Sequence, residues 1–202
     1  MSDELLLKHA EKFAAYKNFL LERNKVMNLT SVTSEPDFTA KHFTDSLALF
    51  ALPQKSARVI DVGTGAGLPG IPLAITRPDV HVTLLDSTGK KINFVREAAA
   101  LLGLANVDCV CARAEDHVKN GHAYDMSVSR AVAKLNKLAA FMLPLTAPGG
   151  MMVAMKGQRI LDELNEAKAA IKKYGGEFEK IIEYEIGLGI VHSLIMVRKI
   201  KI

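Results

Sequence analysis

Residues 59–72 read VIDVGTGAGLPGIP, and this stretch decides how the rest of the chain is parsed. VIDV has the apolar, β-branched character of a short strand, and it carries an acid, Asp61. Gly63, Gly65 and Gly67 follow at alternating positions, and Gly70 stands between Pro69 and Pro72. Glycines this dense let a backbone come close to a ligand. PGIPLAITRP then fits a short helix, with prolines near its start and just past its end. Strand, glycine loop and helix in this order form the ligand-binding turn of an open α/β sheet, where ligands lie beyond the carboxyl ends of the strands.

The pattern continues downstream. HVTLLD (81–86) is a second strand, also ending in an acid. Residues 88–102 place Ile92, Val95, Ala99 and Leu102 on one helical stripe. NVDCVCA (106–112) and YDMSVSRA (124–131) read as strands, and a helix follows the latter to about residue 143. PGG (148–150) predicts a turn into the strand MMVAMKG. A helix over 159–174 turns Ile160, Leu164, Ala167 and Ile171 inward. The last two strands, near 177–184 and 191–199, have no helix between them and should pair antiparallel at an edge. The expected class is α/β: a mostly parallel, Rossmann-like seven-stranded sheet with an antiparallel edge hairpin. It resembles the methyltransferase fold more than a dinucleotide dehydrogenase.

Upstream, residues 3–23 carry Leu6, Ala10, Phe13 and Leu20 at helical spacing, and 37–50 carry Phe38, Phe43, Leu47 and Phe50. The polar connector NLTSVTSEP (28–36) lies between them. This divides the chain into an N-terminal helical extension, 1–50, and a domain from 51 to 202.

Composition adds bounds. In 202 residues, 49% hydrophobic and 24% charged, no apolar run approaches the ~20 residues that span a bilayer. The N-terminus, MSDELLLKHAEK, lacks the basic region and cleavage site of a signal peptide, so a cytoplasmic protein is expected. Cys109 and Cys111 match neither a redox nor a zinc pattern and read as strand residues; no metal is expected. A net charge of +4 is mildly basic and compatible with RNA. The positive charge gathers at Lys90, Lys91 and Arg96, at Arg130, Lys134 and Lys137, and at Lys156 and Arg159.

The loop chemistry separates two cofactors. Residues 65–70 match G-x-G-x-x-G, which allows a NAD-dependent oxidoreductase. Asp86, at the end of the second strand, can accept both hydroxyls of an adenosine ribose, and NAD shares that adenosine with S-adenosylmethionine (SAM). A pyrophosphate needs an open helix N-terminus, whereas Pro69 and Pro72 remove two amide donors there. SAM carries no phosphate, so the residues favour SAM, with the glycines clearing room for its methionine part. Asp61 can orient the loop or meet the α-amino group. Glu115 or Asp116 is placed to flank the adenine, Ala114 offers a backbone amide, and Arg130 ends a strand over the cleft.

NLTSV (28–32), HFTDSL (42–47), DVGTGAGLPGIPLAI (61–75), LLDSTGKK (84–91), SRA (129–131) and AMKG (154–157) occur in that order. They resemble the bacterial small-subunit rRNA guanine-N7 methyltransferase family, also called glucose-inhibited division protein B. The resemblance covers most of the chain and implies SAM-dependent methylation of N7 of one guanine in the 530 loop of 16S rRNA. It puts cofactor contacts on Gly63, Leu68, Ala114, Glu115 and Arg130, joined by Asp61 and Gly65, with the ribose end at Asp86, Ser87 and Thr88. It implies that Asn28, His42, Asp45, Arg130 and Lys156 line the cleft. Asn28, Arg130 and Lys156 are then the expected catalytic group, and His42, Lys90, Lys91, Lys134, Lys156 and Arg159 the expected RNA contacts. Where many members have an arginine before the last strand, this chain has His192. The expected partner is 16S rRNA or the 30S subunit, met by a monomer. Besides the oxidoreductase, the rivals are a SAM enzyme for small molecules and a non-catalytic RNA-binding module.

Overall fold

The computed structural model describes residues 1–121, 123–157 and 160–200. Helices α1 (Ser2–Lys8) and α2 (Ala10–Met27) replace the single helix expected over 3–23, with a break at His9. The segment expected to be helical over 37–50 holds a π-helical turn, Thr39–Thr44, that runs into a short α3 (Asp45–Leu47). The wider turn shows in the Asp45 N–H bonding to the Ala40 carbonyl five residues back. It points Phe43 into the core while His42 and Asp45 meet a cleft. Such π turns concentrate at functional sites.

The sheet is laid down by β1 (Arg58–Val62), α4 (Gly70–Thr76), β2 (His81–Asp86), α5 (Gly89–Leu101), β3 (Val107–Cys111), α6 (Ala114–His117), β4 (Tyr124–Arg130), α7 (Leu135–Met142), β5 (Thr146–Lys156), α8 (Ile160–Lys173), β6 (Gly176–Glu185) and β7 (Val191–Lys199). Its seven strands run in the order β3-β2-β1-β4-β5-β7-β6. β1 to β5 pair in parallel and β7 pairs antiparallel with both β5 and β6, as the missing helix before β7 required. PGG does not precede β5. It forms a bulge inside it: Tyr124 pairs with Thr146 but Met126 with Met151. Gly149 takes a left-handed φ of +80°, which lets the extra residues loop out without breaking the pairing on either side.

Both sheet faces are buried, so strand residues alternate between two cores. Val59, Val82, Leu84, Val128 and Val153 pack on one face with α4, α5 and the N-terminal aromatics Phe13, Tyr16, Phe38 and Phe43. Ile60, Val62, Leu85 and Met152 pack on the other with α7 and α8. Residues 1–50 therefore share the first core with the sheet. Strand order reverses between β1 and β4, and a crevice opens there at the carboxyl ends. Among the described residues no helix is long and apolar enough to cross a membrane, and no cluster of ligating side chains could hold a metal.

Candidate active site

Two clefts open at that crevice. The first has a volume of about 550 Å³ and is walled by Gly63–Ala66, Leu68, Asp86–Thr88, Ala112–Glu115 and Arg130–Val132. The second, about 760 Å³, is walled by Asn28–Val32, Lys41, His42, Asp45, Met155–Gly157 and His192. Leu29, Thr30, His42, Arg130 and Ala131 line both, so the two communicate. Both volumes lie in the range of small-ligand sites.

In the first cleft, Asp86 is anchored before any ligand arrives. Its Oδ2 accepts the Gly65 N–H at 3.1 Å and its Oδ1 the Thr88 N–H at 2.9 Å. A carboxylate has about four acceptor sites, so capacity remains for two hydroxyls. The glycines divide into two kinds. A Cβ on Gly63 would lie 2.5 Å from Val132 Cγ2, one on Gly67 2.5 Å from Ile71 Cδ1, and one on Gly70 2.3 Å from Leu84 Cδ2. Only Gly65 faces open space, its nearest neighbour being a carbonyl at 3.9 Å. Three of the four glycines thus allow close packing of the chain on itself, and one clears room for a ligand, where the sequence suggested that all did.

Asp61 holds the loop from below. Its Oδ2 accepts the Thr64 hydroxyl at 2.7 Å and the Gly70 N–H at 2.9 Å. The carboxylate therefore caps the N-terminus of α4 and occupies the amide that a pyrophosphate would need. With Pro69 and Pro72 lacking N–H groups, the start of α4 offers few amides to an anion. This geometry favours SAM over a dinucleotide. Asp61 lies behind the cleft wall rather than in it, so it orients the loop and the α-amino alternative loses its support.

Asp61 is fully buried and its Oδ1 has no hydrogen-bond partner. Desolvation pushes its carboxyl up to about 6, against the bonds from Thr64 and Gly70. The folded state thus holds a proton that the unfolded chain releases near the ordinary carboxylate value. The stabilisation this gives is complete below the unfolded pKa and is lost as pH rises through about 6. Asp61→Asn does not titrate. The stability difference, wild type minus Asp61→Asn, should fall between about pH 4 and 6 and stay flat above. Urea unfolding of both proteins across that range checks it.

The wall between the clefts is built around Asp45, buried on α3. Its Oδ2 pairs with Arg130 Nη1 at 2.8 Å, while its Oδ1 accepts Tyr184 Oη at 2.7 Å and meets His192 Nδ1 at 2.8 Å. Arg130 Nη1 also donates to the Lys41 carbonyl at 2.7 Å. Beside it, burial and the Arg130 charge pull the His42 imidazole below its ordinary value, and its Nε2 meets Thr30 Oγ1 at 2.9 Å. Ala131 follows with a left-handed φ of 55°, a strained turn that lays Val132 over Gly63.

The structure gathers Gly63, Gly65, Leu68, Asp86, Ser87, Thr88, Ala114, Glu115 and Arg130 around the first cleft, and Asn28, His42, Asp45, Arg130 and Lys156 around the second. Lys156 is not a loose cation. Its Nζ donates to Glu163 Oε1 at 2.6 Å and to the Ala133 carbonyl at 2.7 Å, tying β5 to α8. Among the expected RNA contacts, Lys91 lies 3.7 Å from Asp86 and Lys134 lies 3.6 Å from Glu166, while Lys90 is exposed on α5. Arg159 lies outside the described residues. His192, which stands where many members have an arginine, turns inward to Asp45.

The sequence reading missed Leu29, Thr30, Arg113, Val132 and Phe141 in the first cleft. Leu29 and Thr30 stood inside a quoted motif, and only their distance along the chain from the glycine loop hid their place. Tyr184 carries no local signal at all.

This chain matches the profile of the rRNA small subunit methyltransferase G family (GidB) over residues 9–187. The chain belongs to that family. A ribosomal RNA small subunit methyltransferase G from Clostridium perfringens (strain 13 / Type A) is 44% identical over 197 residues, covering 95% of this chain and 82% of the relative. One from Clostridium botulinum (strain Alaska E43 / Type E3) is 42% identical over 204 residues, covering 98% and 85%. Among solved structures, M. jannaschii TYW2 in complex with AdoMet aligns with a TM-score of 0.62 at 16% identity, over 84% of this chain and 80% of that one. NSun6 from Pyrococcus horikoshii with SFG aligns at 0.65 and 16%, over 86% and 57%. At that identity the likeness is one of fold. Family membership agrees with the motifs NLTSV, HFTDSL and GLPGIPL, which all fall on the walls of the two clefts or directly behind them.

Proposed function

We propose that this chain methylates small-subunit rRNA with SAM as donor, at N7 of one guanine in the 530 loop. The observation that carries this reading is the pair of communicating clefts. One is shaped for an adenosine without phosphates, and the other is lined by Asn28, His42 and Arg130. SAM supplies a methyl group already activated by its sulfonium. The ribose is held by Asp86, the adenine is flanked by Ala114 and Glu115, and the methionine part passes Gly65 toward Arg130.

Guanine N7 has a free lone pair and no proton to lose, so the site needs no general base. What the chain must supply is alignment, which is worth many orders of magnitude in rate. The purine gains positive charge during transfer, and an unpaired cation beside it would oppose the reaction. The three cations on the second cleft are all paired: Arg130 with Asp45, Lys156 with Glu163 and Lys41 with Asp37. Arg130 is thereby a directed donor for a base carbonyl or a phosphate, not a bare charge. Asn28 caps α2 in a left-handed turn and lines the second cleft, where its amide is the candidate partner for guanine O6. The neutral His42 imidazole adds no charge. Exposed Lys90 and Lys134 contribute phosphate contacts that salt should weaken. The 30S subunit as the particle recognised, and a monomer acting in the cytoplasm, complete the reading.

The test is transfer of a tritiated methyl group from SAM to purified small-subunit rRNA, with metabolite pools as the competing acceptor. Label in the RNA supports the reading. Label only in a small molecule, or binding of NAD without binding of SAM, overturns it.

A further inference from the structure

We infer that Tyr16, on α2, is a positioning residue for the cofactor loop. It rests on the reading of the first cleft as a SAM site. The Tyr16 side chain is fully buried, and its hydroxyl donates to the Ala66 carbonyl in the centre of the glycine loop, fifty residues away. The contact is tight on both sides. A Cβ on Gly67 would lie 3.0 Å from Tyr16 Oη, and the Tyr16 ring stacks on Phe43 with centroids 5.9 Å apart. Burial drives the phenol well above its ordinary value, so it stays a donor at every working pH.

The Ala66 carbonyl that Tyr16 grips is bonded from outside the loop, across the core. Gly63 and Thr64 donate to the Leu85 carbonyl, Gly65 donates to Asp86, and Gly67 and Leu68 donate to the Thr64 carbonyl. The Ala66 carbonyl has its bond from Tyr16. That bond turns the carbonyl away from the cleft and leaves Gly65 and Ala66 facing it. Through Phe43 the same ring touches the π-helical turn that carries His42. A residue of the N-terminal segment therefore sets the shape of a cofactor loop that belongs to the sheet.

Tyr16→Phe removes one oxygen and keeps the ring. It leaves a buried acceptor unpaired, and the loop must shift to satisfy it. The expected result is a roughly tenfold rise in Kd and KM for SAM, with KM for rRNA unchanged. Phe13→Leu is the control. It loosens the same helix against Phe43, 4.8 Å away between ring centroids, without touching the loop. It should lower Tm and leave KM for SAM in place. Equal SAM affinity in wild type and Tyr16→Phe overturns the inference. So does a Tyr16→Phe variant whose SAM and rRNA constants worsen together in proportion to its loss of Tm. Failure of the wild type to bind SAM in the same titration defeats the underlying reading instead.

Discussion

Replacing Asp45 by Asn should abolish most methyl transfer. Asp45 is buried and holds Arg130, Tyr184 and His192 through its two oxygens. The amide keeps the shape but removes the charge, and one of its two positions becomes a donor facing another donor. Arg130, itself only 15% exposed in its side chain, then has no counter-charge. Breaking a buried pair from one side costs about 3 kcal/mol or more, because the remaining charge is stranded. Arg130 would swing toward solvent, and a shift of about 1 Å in an aligning group can cost roughly 100-fold in rate. Urea denaturation and kcat/KM on rRNA check both parts. A variant that unfolds like wild type and methylates at full rate removes Asp45 from the account. Arg130→Met with Asp45→Asn distinguishes the causes: stability should partly return, since no stranded charge is left, while activity should not.

The second large effect is expected at Asp86. Its carboxylate organises Gly65 and Thr88 and keeps acceptor capacity toward the cleft. Asp86→Ala loses two hydroxyl contacts of the cofactor and leaves two loop amides without their acceptor. Hydrogen bonds to a charged group are worth about 1.5–3 kcal/mol each, so Kd for SAM should rise roughly 100-fold or more. Calorimetric titration measures it. Lys91→Ala is the companion: Lys91 sits 3.7 Å from Asp86 on an exposed chain, and such a pair is worth little. SAM affinity should move less than about threefold there. Equal losses in the two variants would mean that charge near the adenosine, not the geometry of Asp86, governs binding.

Much of this site was legible because its signals are local. Acids at strand ends, a glycine loop between strand and helix, and prolines at a helix start each follow from backbone chemistry. They pointed to SAM rather than a dinucleotide, and the structure brings Asp86 and Gly65 together in one loop. Three things were hidden for physical reasons. A glycine's role depends on what its missing Cβ would strike, and Val132, Tyr16 and Leu84 lie far away in sequence. The π turn at Thr39–Thr44 keeps a helical composition, so its extra residue per turn leaves no mark on the pattern. Two partners of Asp45, Tyr184 and His192, sit on β6 and β7, about 140 residues downstream. A long-range hydrogen bond has no periodicity, so neither Tyr184 nor Tyr16 could be singled out.

The proline-flanked end of the opening motif proved the most informative part. LPGIP starts α4 with few free amides, and Asp61 occupies the one at Gly70. That single bond separates a methyl donor's site from a dinucleotide's more firmly than the glycine spacing does.

The account's central claim is tested most directly by nucleoside analysis of the 530 loop of 16S rRNA from cells with and without this gene. It predicts 7-methylguanosine in the first sample and unmodified guanosine in the second, restored by the wild-type chain and not by Asp86→Ala. The same amount of 7-methylguanosine in both samples would contradict it.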